Sequence, residues 1–478
     1  MANLAAVDTV VLVAYTVLVV FLGVRLGRGQ QDAKSYLLGG KDLPWWAILG
    51  SIVATETSTA TFLSVPGLAF KDGGDFRFLQ LAIGYIVGRS LIVFWLLPLY
   101  FRGELFTAYE LLNQRFGRAT QLIASAIFIV TRNLGDGLRL FLTALVLQVT
   151  LGWSLPACVV VIGVATILFT FVGGMKSVVW NDCIQLVVYM AGGLIAIALI
   201  VNRLPGGFAG MLEFGEQTER LRMFDFSLRL DDVNTFWAGL IGGAFLTLGT
   251  HGTDQMLVQR ALAARSQSDA GKAMILSGVV VFLQFALFLL IGLALSHFYT
   301  ANPPATPFEK TDKVFAYYIV NDLPAGIGLI GILLAAIFSA AMSTLSSSLN
   351  SSATAVVRDW CKPFRPGFTD KQTVSWSKAF TVVFGVIQMG IAILAAGFDE
   401  TVVTNALTIA GFSAGLLLGL FGVGSLLPRV SQRAAMVGLV AGVLLLSYIK
   451  FAPTLQPGLY PFETELAWPW LPVVGSVT

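Results

Sequence analysis

Charged residues are scarce in this sequence. Only 12% of its 478 residues are Asp, Glu, Lys or Arg, and 56% are hydrophobic, whereas a soluble domain carries about 25% charged residues. The mean hydropathy is +0.80, which excludes a soluble globular protein and a charged, disordered chain. Apolar runs of about 18 residues or more, the length that a helix needs to cross a bilayer, recur along the sequence. The composition therefore predicts an all-α polytopic membrane protein.

Cysteine and histidine are also rare. The three cysteines lie far apart in the sequence, and there are only two histidines. This usage argues against a disulfide framework and against a His/Cys metal centre. We find no nucleophile–His–acid set, no phosphate loop with Walker spacing and no nucleic-acid motif. We therefore expect neither an enzyme nor a nucleic-acid partner.

The apolar runs predict about thirteen transmembrane helices in a single transporter domain, 1–478. We divide it into a leading helix (5–26), a first group of five helices (43–202), a second group of five (233–427) and C-terminal helices (433–478). The last apolar stretch begins at Leu466 and is interpreted as a truncated helix. We expect the protein to lie in the cell membrane, either an inner membrane or a plasma membrane. Lys and Arg are concentrated in alternate loops, which predicts that the N-terminus lies outside.

Two of the predicted spans have interrupted patterns. The second span contains Ala54–Thr61, a run of small and hydroxyl residues with one carboxylate, which is a poor membrane helix. Five spans later, residues 239–255 combine five glycines with polar residues. Unwound backbone is tolerated at membrane depth where it lines a polar site. Interruptions at matching places predict a 5+5 inverted-repeat transporter, although glycine-mediated helix packing is an alternative.

A later span contains the serine-rich tract "AMSTLSSSLNSS". Helical spacing places Ala340, Ser343, Thr344 and Ser347 on one stripe, with Ser346 at its edge. Neutral hydroxyl oxygens, joined by carbonyls from a broken helix, suit a small monovalent cation, whereas Mg²⁺ and Ca²⁺ prefer carboxylates. The tract therefore favours a sodium site, with close helix packing by hydroxyl residues as the alternative.

Four segments carry a resemblance to a known family: residues 101–117 (FRGELFTAYELLNQRFG), 169–185 (FTFVGGMKSVVWNDCIQ), 254–265 (DQMLVQRALAAR) and 335–351 (AAIFSAAMSTLSSSLNS). The sequence resembles the sodium/solute symporters, which include sodium–glucose, proline, iodide and sialic acid carriers. The resemblance implies a LeuT-like fold, in which two inverted repeats of five helices each contain one broken helix. It also implies one helix before this core and further helices after it.

The resemblance implies two sets of sodium ligands. The first combines three backbone carbonyls with two hydroxyls, from Ala54, Thr57, Ala340, Ser343 and Thr344. The second, found in carriers that resemble the sialic acid symporter, corresponds to Asp182, Ser343, Ser346 and Ser347. A lone carboxylate within an apolar helix is easier to hold beside a cation. We therefore expect Na⁺ as the coupling ion, with two ions bound.

The solute is predicted from the charges near the broken helices. Glu56 and Asp136 face Arg89, Arg132 and Arg139, a net charge of +1, which favours an anionic solute. The arginine that binds a carboxylate in the sialic acid carrier is absent here, where Gly135 aligns with it. A neutral sugar is the alternative if these charges pair with one another. Hydrogen-bonding side chains near the breaks complete the candidate site: Ser58, Thr61, Gln80 and Thr247.

These features predict a sodium-coupled secondary active symporter that imports a small polar organic solute, with a carboxylate group favoured. Import would proceed by alternating access, in which sodium bridges the first broken helix to the serine-rich helix. A proton-coupled carrier and an ion channel stay open as rival interpretations. The former would titrate a buried carboxylate, and the latter would line a pore with the Gly-rich and hydroxyl-rich spans.

Overall fold

The computed structural model describes residues 5–30, 32–304, 308, 310–324, 326–365, 367–398, 400–455 and 465–478. Within these ranges the regular structure is helical. The first nine helices are α1 (Ala6–Leu26), α2 (Ala33–Leu38), α3 (Trp45–Glu56), α4 (Thr59–Phe70), α5 (Leu79–Phe101), α6 (Tyr109–Phe116), α7 (Arg118–Leu151), α8 (Leu155–Val201) and α9 (Gly207–Gln217). The other nine are α10 (Gly243–Gly252), α11 (Gln255–Leu262), α12 (Gln267–Ala301), α13 (Val314–Asn321), α14 (Leu329–Ala355), α15 (Asp370–Leu394), α16 (Glu400–Leu426), α17 (Gln432–Leu455) and α18 (Leu471–Val477).

Many of these helices have the length and apolarity of membrane spans. In the described ranges, seven helices qualify alone, and α3 with α4 form an eighth candidate that is bent by 64°. Helix α8 has 47 residues, about 70 Å of helix, which is more than twice the hydrocarbon thickness of about 30 Å. Gly174 interrupts it with a φ of 51° and a ψ of −146°, so α8 supplies two crossings. The membrane prediction is confirmed, whereas the number thirteen stays a prediction.

Both interruptions predicted from the sequence are breaks in the structure. Helix α3 ends at Glu56, and the extended backbone of Thr57 and Ser58 leads into α4. In the second group of five helices, α10 ends at Gly252 and α11 begins at Gln255, with non-helical backbone between them. Polar main-chain groups are therefore freed at two places in the helical core.

Helix α14, which contains the serine-rich tract, lies at the centre of the molecule. Within its most apolar window 89% of the residues are buried, compared with 28% in α1 and 22% in α17. It packs mainly against α8, α7, α15 and α1. The hydroxyl residues of α14 therefore face other helices instead of lipid, as a polar site within a membrane protein requires.

Candidate sodium and solute site

A small cavity lies between the first break, α8 and α14. Four of the five residues in the first predicted sodium set line it: Ala54, Thr57, Ala340 and Ser343. The remaining walls come from Gln185, Leu186, Tyr189 and Ser339. The fold therefore gathers these four predicted residues, which are distant in sequence, around one space.

The break supplies carbonyl oxygens to this cavity. Within the described part of the chain, no backbone amide donates a hydrogen bond to the carbonyl of Ala54, because the next residues do not continue the helix. The Thr344 hydroxyl, the fifth member of the predicted set, donates to the carbonyls of Thr55 (3.3 Å) and Ala340 (3.2 Å). Thr344 thus ties α14 directly to the end of α3. Freed carbonyls beside hydroxyl groups form a neutral oxygen-rich site that suits a monovalent cation.

The second predicted set is organised around Asp182, which is fully buried on α8. One carboxylate oxygen accepts a hydrogen bond from Ser343 (2.6 Å), and the other accepts one from Ser51 (2.5 Å). Ser346 is buried on the same turn of α14, and its hydroxyl donates to the Ser343 carbonyl (3.0 Å). Ser343 therefore lines the cavity and also contacts Asp182, which connects the two predicted sets.

A cation that the sequence analysis missed lies beside Asp182. The Arg260 guanidinium is 1% exposed, lies 3.4 Å from the carboxylate and donates a short hydrogen bond to Ser347. Arg260 contacts α3, α8 and α14. The sequence does not predict these contacts, because the hydropathy pattern assigns Arg260 to a cytoplasmic loop. The short helix α11 instead turns back into the core after the second break, and its eight residues are all buried. An internal positive charge thus occupies the surroundings of the second predicted sodium set.

Glu56 belongs to a charge cluster that joins the two breaks. Its carboxylate is paired with the buried Arg89 and lies 3.4 Å from His251 of α10. Arg89 also donates to Ser277 of α12 (2.5 Å). Glu56 is therefore balanced by Arg89 and lies next to the unwound backbone, and its contact with the solute stays a prediction.

The predicted Arg–Asp–Arg ladder on α7 is joined by a fourth charged residue, Asp254, from the second break. Arg132 pairs with Asp254, which stands at the second break, and lies 3.8 Å from Asp136. Arg139 lies 2.5 Å from Asp136, with 45% of its side chain exposed. The predicted excess of one positive charge was wrong, because it omitted Asp254. With Asp254 included, the carboxylates of Glu56, Asp136 and Asp254 balance the guanidinium groups of Arg89, Arg132 and Arg139.

The two half-helices after the breaks differ in their N-termini. Asp254 caps α11 by accepting a hydrogen bond from the Met256 amide (2.8 Å). Ser58 stands at the same position of α4, but its side chain makes no capping hydrogen bond. At the other end of α4, Arg220 donates to the carbonyls of Ala69 (2.6 Å) and Lys71 (2.7 Å). The positive end of the α4 dipole therefore faces the first break without a side-chain cap.

The remaining candidates for solute contacts occupy different surroundings. Thr61 is half-buried in the first turn of α4. Thr247 is buried in α10, the helix that precedes the second break. Gln80 is buried and bonded through its side chain to the backbone of Arg77 (3.0 Å), Asn234 (2.9 Å) and Asp225 (3.1 Å). Its amide thus fastens the loop before α10 to α5, and in this structure it is occupied by that contact.

The chain is similar to known proteins over most of its length. The profile of the sodium:solute symporter family matches residues 36–442. The sodium-coupled monocarboxylate transporter 2 of Bos taurus is 30% identical, over 98% of this chain and 75% of that protein. The human sodium/iodide cotransporter is also 30% identical, over 91% of this chain and 68% of the relative.

Solved structures of transporters share the fold of this chain. An outward-open, substrate-bound Na⁺-coupled sialic acid symporter matches with a TM-score of 0.89 and 25% identity, covering 99% of this chain and 96% of that chain. The transporter Mhp1 matches at 15% identity with a TM-score of 0.56, covering 95% of this chain and 93% of its own. MhsT matches at 15% identity with a TM-score of 0.53, covering 84% of this chain and 97% of its own. Both matches support the fold alone. The chain therefore has the LeuT-like transporter fold and belongs to the sodium:solute symporter family.

Proposed function

We propose that the protein carries a small organic monocarboxylate into the cell together with sodium ions. The cavity between the first break and α14 carries this proposal, because freed carbonyls and the Ser343 hydroxyl converge on it. The named relatives transport monocarboxylates or iodide, and the structural relative transports sialic acid. All of these solutes are small anions, so the shared chemistry supports an anionic solute here.

The N-terminus of α4 is the proposed contact for the carboxylate. Half-helix N-termini bind anionic solute groups in transporters with broken helices. Because Asp254 already caps α11, only the end of α4 at Ser58 is left for an external carboxylate among the two half-helices after the breaks. The partly exposed Arg132 lies on α7 and would add a charge-assisted hydrogen bond.

A neutral sugar is the second candidate, and the charge balance of the central clusters favours it. Glu56 is paired with Arg89, and Arg132 is paired with Asp254. A sugar would use hydroxyl and amide partners and leave these pairs intact. The substrate screen below separates the two candidates.

We propose two sodium ions per cycle, one at the cavity and one at Asp182 with Ser343, Ser346 and Ser347. The second ion would have to share its surroundings with Arg260, which already compensates the carboxylate. Two like charges near one carboxylate repel, so binding of the second ion requires the guanidinium to move away from Ser347. Sodium affinity at this place is therefore coupled to the position of α11.

The proposed cycle follows from these contacts. Sodium in the cavity would hold the end of α3 against α14 and so shape the α4 terminus for the solute. Solute binding would then favour closure of the outer side, and separation of α3 from α14 on inward opening would release the ions. We propose an N-terminus outside and a location in the plasma or inner membrane, as the distribution of basic residues predicts.

Uptake into liposomes that contain the purified protein tests this function. We expect an inward sodium gradient to drive uptake of a short monocarboxylate, and no uptake when potassium replaces sodium at equal ionic strength. The screen includes iodide, a sugar acid and a neutral sugar, each with a matched proton gradient as control. Sodium-driven uptake of only the neutral sugar would overturn the carboxylate proposal, and proton-driven uptake would overturn sodium coupling.

The Asp182→Asn variant tests the number of ions. Two sodium ions with one monocarboxylate move one net positive charge per cycle, worth about 2.3 kcal/mol at 100 mV, whereas one sodium ion makes the cycle electroneutral. We expect a negative interior potential to accelerate uptake by the unmodified protein but not by Asp182→Asn. The control is Asp359→Asn, a buried carboxylate bonded instead to Thr107, Gln121 and Ser125. An unchanged potential dependence in Asp182→Asn would leave the second ion without support.

A further inference from the structure

The leading helix α1 has one face that packs against the rest of the molecule. Its buried residues recur at intervals of three or four: Asp8, Leu12, Tyr15, Val19 and Gly23. In its most apolar window only 28% of the residues are buried, so most of the helix surface points away from the other helices. A carboxylate on the buried side of so apolar a helix is costly. The partners of Asp8 and Tyr15 therefore indicate what this face of α1 does.

Asp8 provides α14 with a cap that α14 does not provide for itself. Gly328 stands at the N-cap position of α14 and has no side chain to accept the first free amides. The carboxylate of Asp8 is fully buried, and its two oxygens accept hydrogen bonds from the amides of Gly326 (3.1 Å) and Gly331 (3.2 Å). Negative charge at a helix N-terminus is also favoured by the helix dipole. Asp8 therefore ties the beginning of the serine-rich helix to α1.

Tyr15 lies two turns further along α1 and contacts α14 at the cavity wall. Its phenol makes a short hydrogen bond with the Ser339 hydroxyl. Ser339 donates its own proton to the carbonyl of Ala335 (2.7 Å), so Tyr15 is the donor in the bond between them. Ser339 lines the cavity and directly precedes Ala340, whose carbonyl belongs to the first predicted sodium set. Tyr15 thus bonds to the turn of α14 that carries a predicted ligand.

The backbone of α1 also lies close to both α14 and α8. A side chain added at Gly331 of α14 would meet the Asp8 carbonyl oxygen at 2.4 Å. On the other side, Ser177 of α8 donates a hydrogen bond to the carbonyl of Gly23 (2.7 Å). Helix α1 is therefore anchored to the two helices that carry Asp182 and the serine-rich tract.

We propose that α1 holds α14 in the position that binds sodium, with Tyr15 as a positioning residue that acts through Ser339. This inference rests on the proposed sodium symport, and it gives a role to a helix outside the two five-helix repeats. A binding site needs supporting hydrogen bonds that keep its ligands in place. The Tyr15 bond restrains the turn that begins at Ser339 and contains Ala340 and Ser343. Its loss weakens sodium binding without removing a ligand.

Tyr15→Phe tests this role, because it keeps the ring and removes only the hydrogen-bond donor. We expect the sodium concentration that half-saturates thermal stabilisation of the purified full chain to rise about fivefold, as the loss of one hydrogen bond allows. Uptake should show the same shift in its sodium dependence, with its maximal rate at saturating sodium unchanged. The control is Thr16→Val, since the Thr16 hydroxyl donates to the Leu12 carbonyl (2.9 Å) within α1. Equal half-saturating concentrations in the two variants would overturn the inference.

A double variant tests whether Tyr15 acts through Ser339. Once Ser339→Ala has removed the acceptor, Tyr15→Phe has no bond left to break. We therefore expect the double variant to match Ser339→Ala within about twofold in its half-saturating sodium concentration, because effects at coupled sites are not additive. A further increase of about fivefold in the double variant would show that Tyr15 acts by another route, and would contradict the inference. A lack of sodium stabilisation in the unmodified protein would instead contradict sodium symport itself.

Discussion

Ser343→Ala is expected to raise the half-saturating sodium concentration for uptake tenfold or more. The Ser343 hydroxyl lines the cavity and donates a 2.6 Å hydrogen bond to the buried Asp182. Its removal takes one oxygen from the ion and leaves the carboxylate with one donor fewer. We expect the loss of one oxygen ligand to cost at least about 1.4 kcal/mol of ion-binding free energy, which corresponds to a tenfold change in affinity. The measurement is initial uptake at a fixed solute concentration across a sodium series.

Ser351→Ala is the control for this prediction. Ser351 is also buried on α14, but among the described residues its hydroxyl bonds only to the carbonyls of Ser347 (2.8 Å) and Ser348 (3.1 Å) within the helix. Its loss should leave the sodium dependence within about twofold of the unmodified protein. If Ser343→Ala behaves like Ser351→Ala, the serine-rich helix has only a packing role.

Arg132→Gln is expected to reduce solute uptake strongly and to destabilise the protein. The substitution leaves Asp254 without its cation at the second break. Breaking a buried ion pair by removing one partner costs about 3–5 kcal/mol, because the other charge stays buried and uncompensated. The measurements are the thermal stability of the purified variant and its solute affinity at saturating sodium.

The double variant Arg132→Gln with Asp254→Asn separates folding from binding. Asn caps a helix about as well as Asp, so α11 keeps its N-terminus and no unpaired carboxylate is created at residue 254. We expect thermal stability to recover while solute affinity stays low, since the guanidinium that we propose as a solute contact is still absent. Recovery of both properties would show that Arg132 only neutralises Asp254 and makes no contact with the solute.

Arg139→Gln is the matched comparison on the same helix. The sequence pattern groups Arg139 with Arg132 as a solute contact, but nearly half of the Arg139 side chain is exposed. A solvent-exposed guanidinium forms only weak ion pairs, because water competes with the partner. We therefore expect solute affinity to change by less than about threefold in this variant, in contrast to the original expectation that both arginines bind the solute.

The sequence predicted the features that depend on local pattern. Hydroxyl residues and a carboxylate at Ala54–Thr61 indicated the first break, and spacing on a helix indicated the serine stripe. The structure contains the break and buries the stripe against α8. These predictions succeed because backbone competition by Ser and Thr, and the side on which a helical residue lies, are local properties.

The sequence did not predict contacts that depend on how the chain returns after a break. Spacing alone does not show that α11 packs back between the other helices. The sequence pattern therefore assigns Arg260 to a cytoplasmic loop and gives no reason to include Asp254 in the charge count. Asp8 and Tyr15 give no signal in the sequence, since single polar residues in an apolar helix are unremarkable until their surroundings are known. In each case the neighbours come from distant segments, so only the packed structure brings them together.

Equilibrium binding of radioactive sodium to the purified protein, with and without the transported solute, tests the sodium site most directly. The arrangement of freed carbonyls and α14 hydroxyls predicts saturable binding that Ser343→Ala weakens. It also predicts that solute raises sodium affinity by the same factor by which sodium raises solute affinity. Sodium binding that is absent, or that is equal in the unmodified protein and Ser343→Ala, would contradict the account.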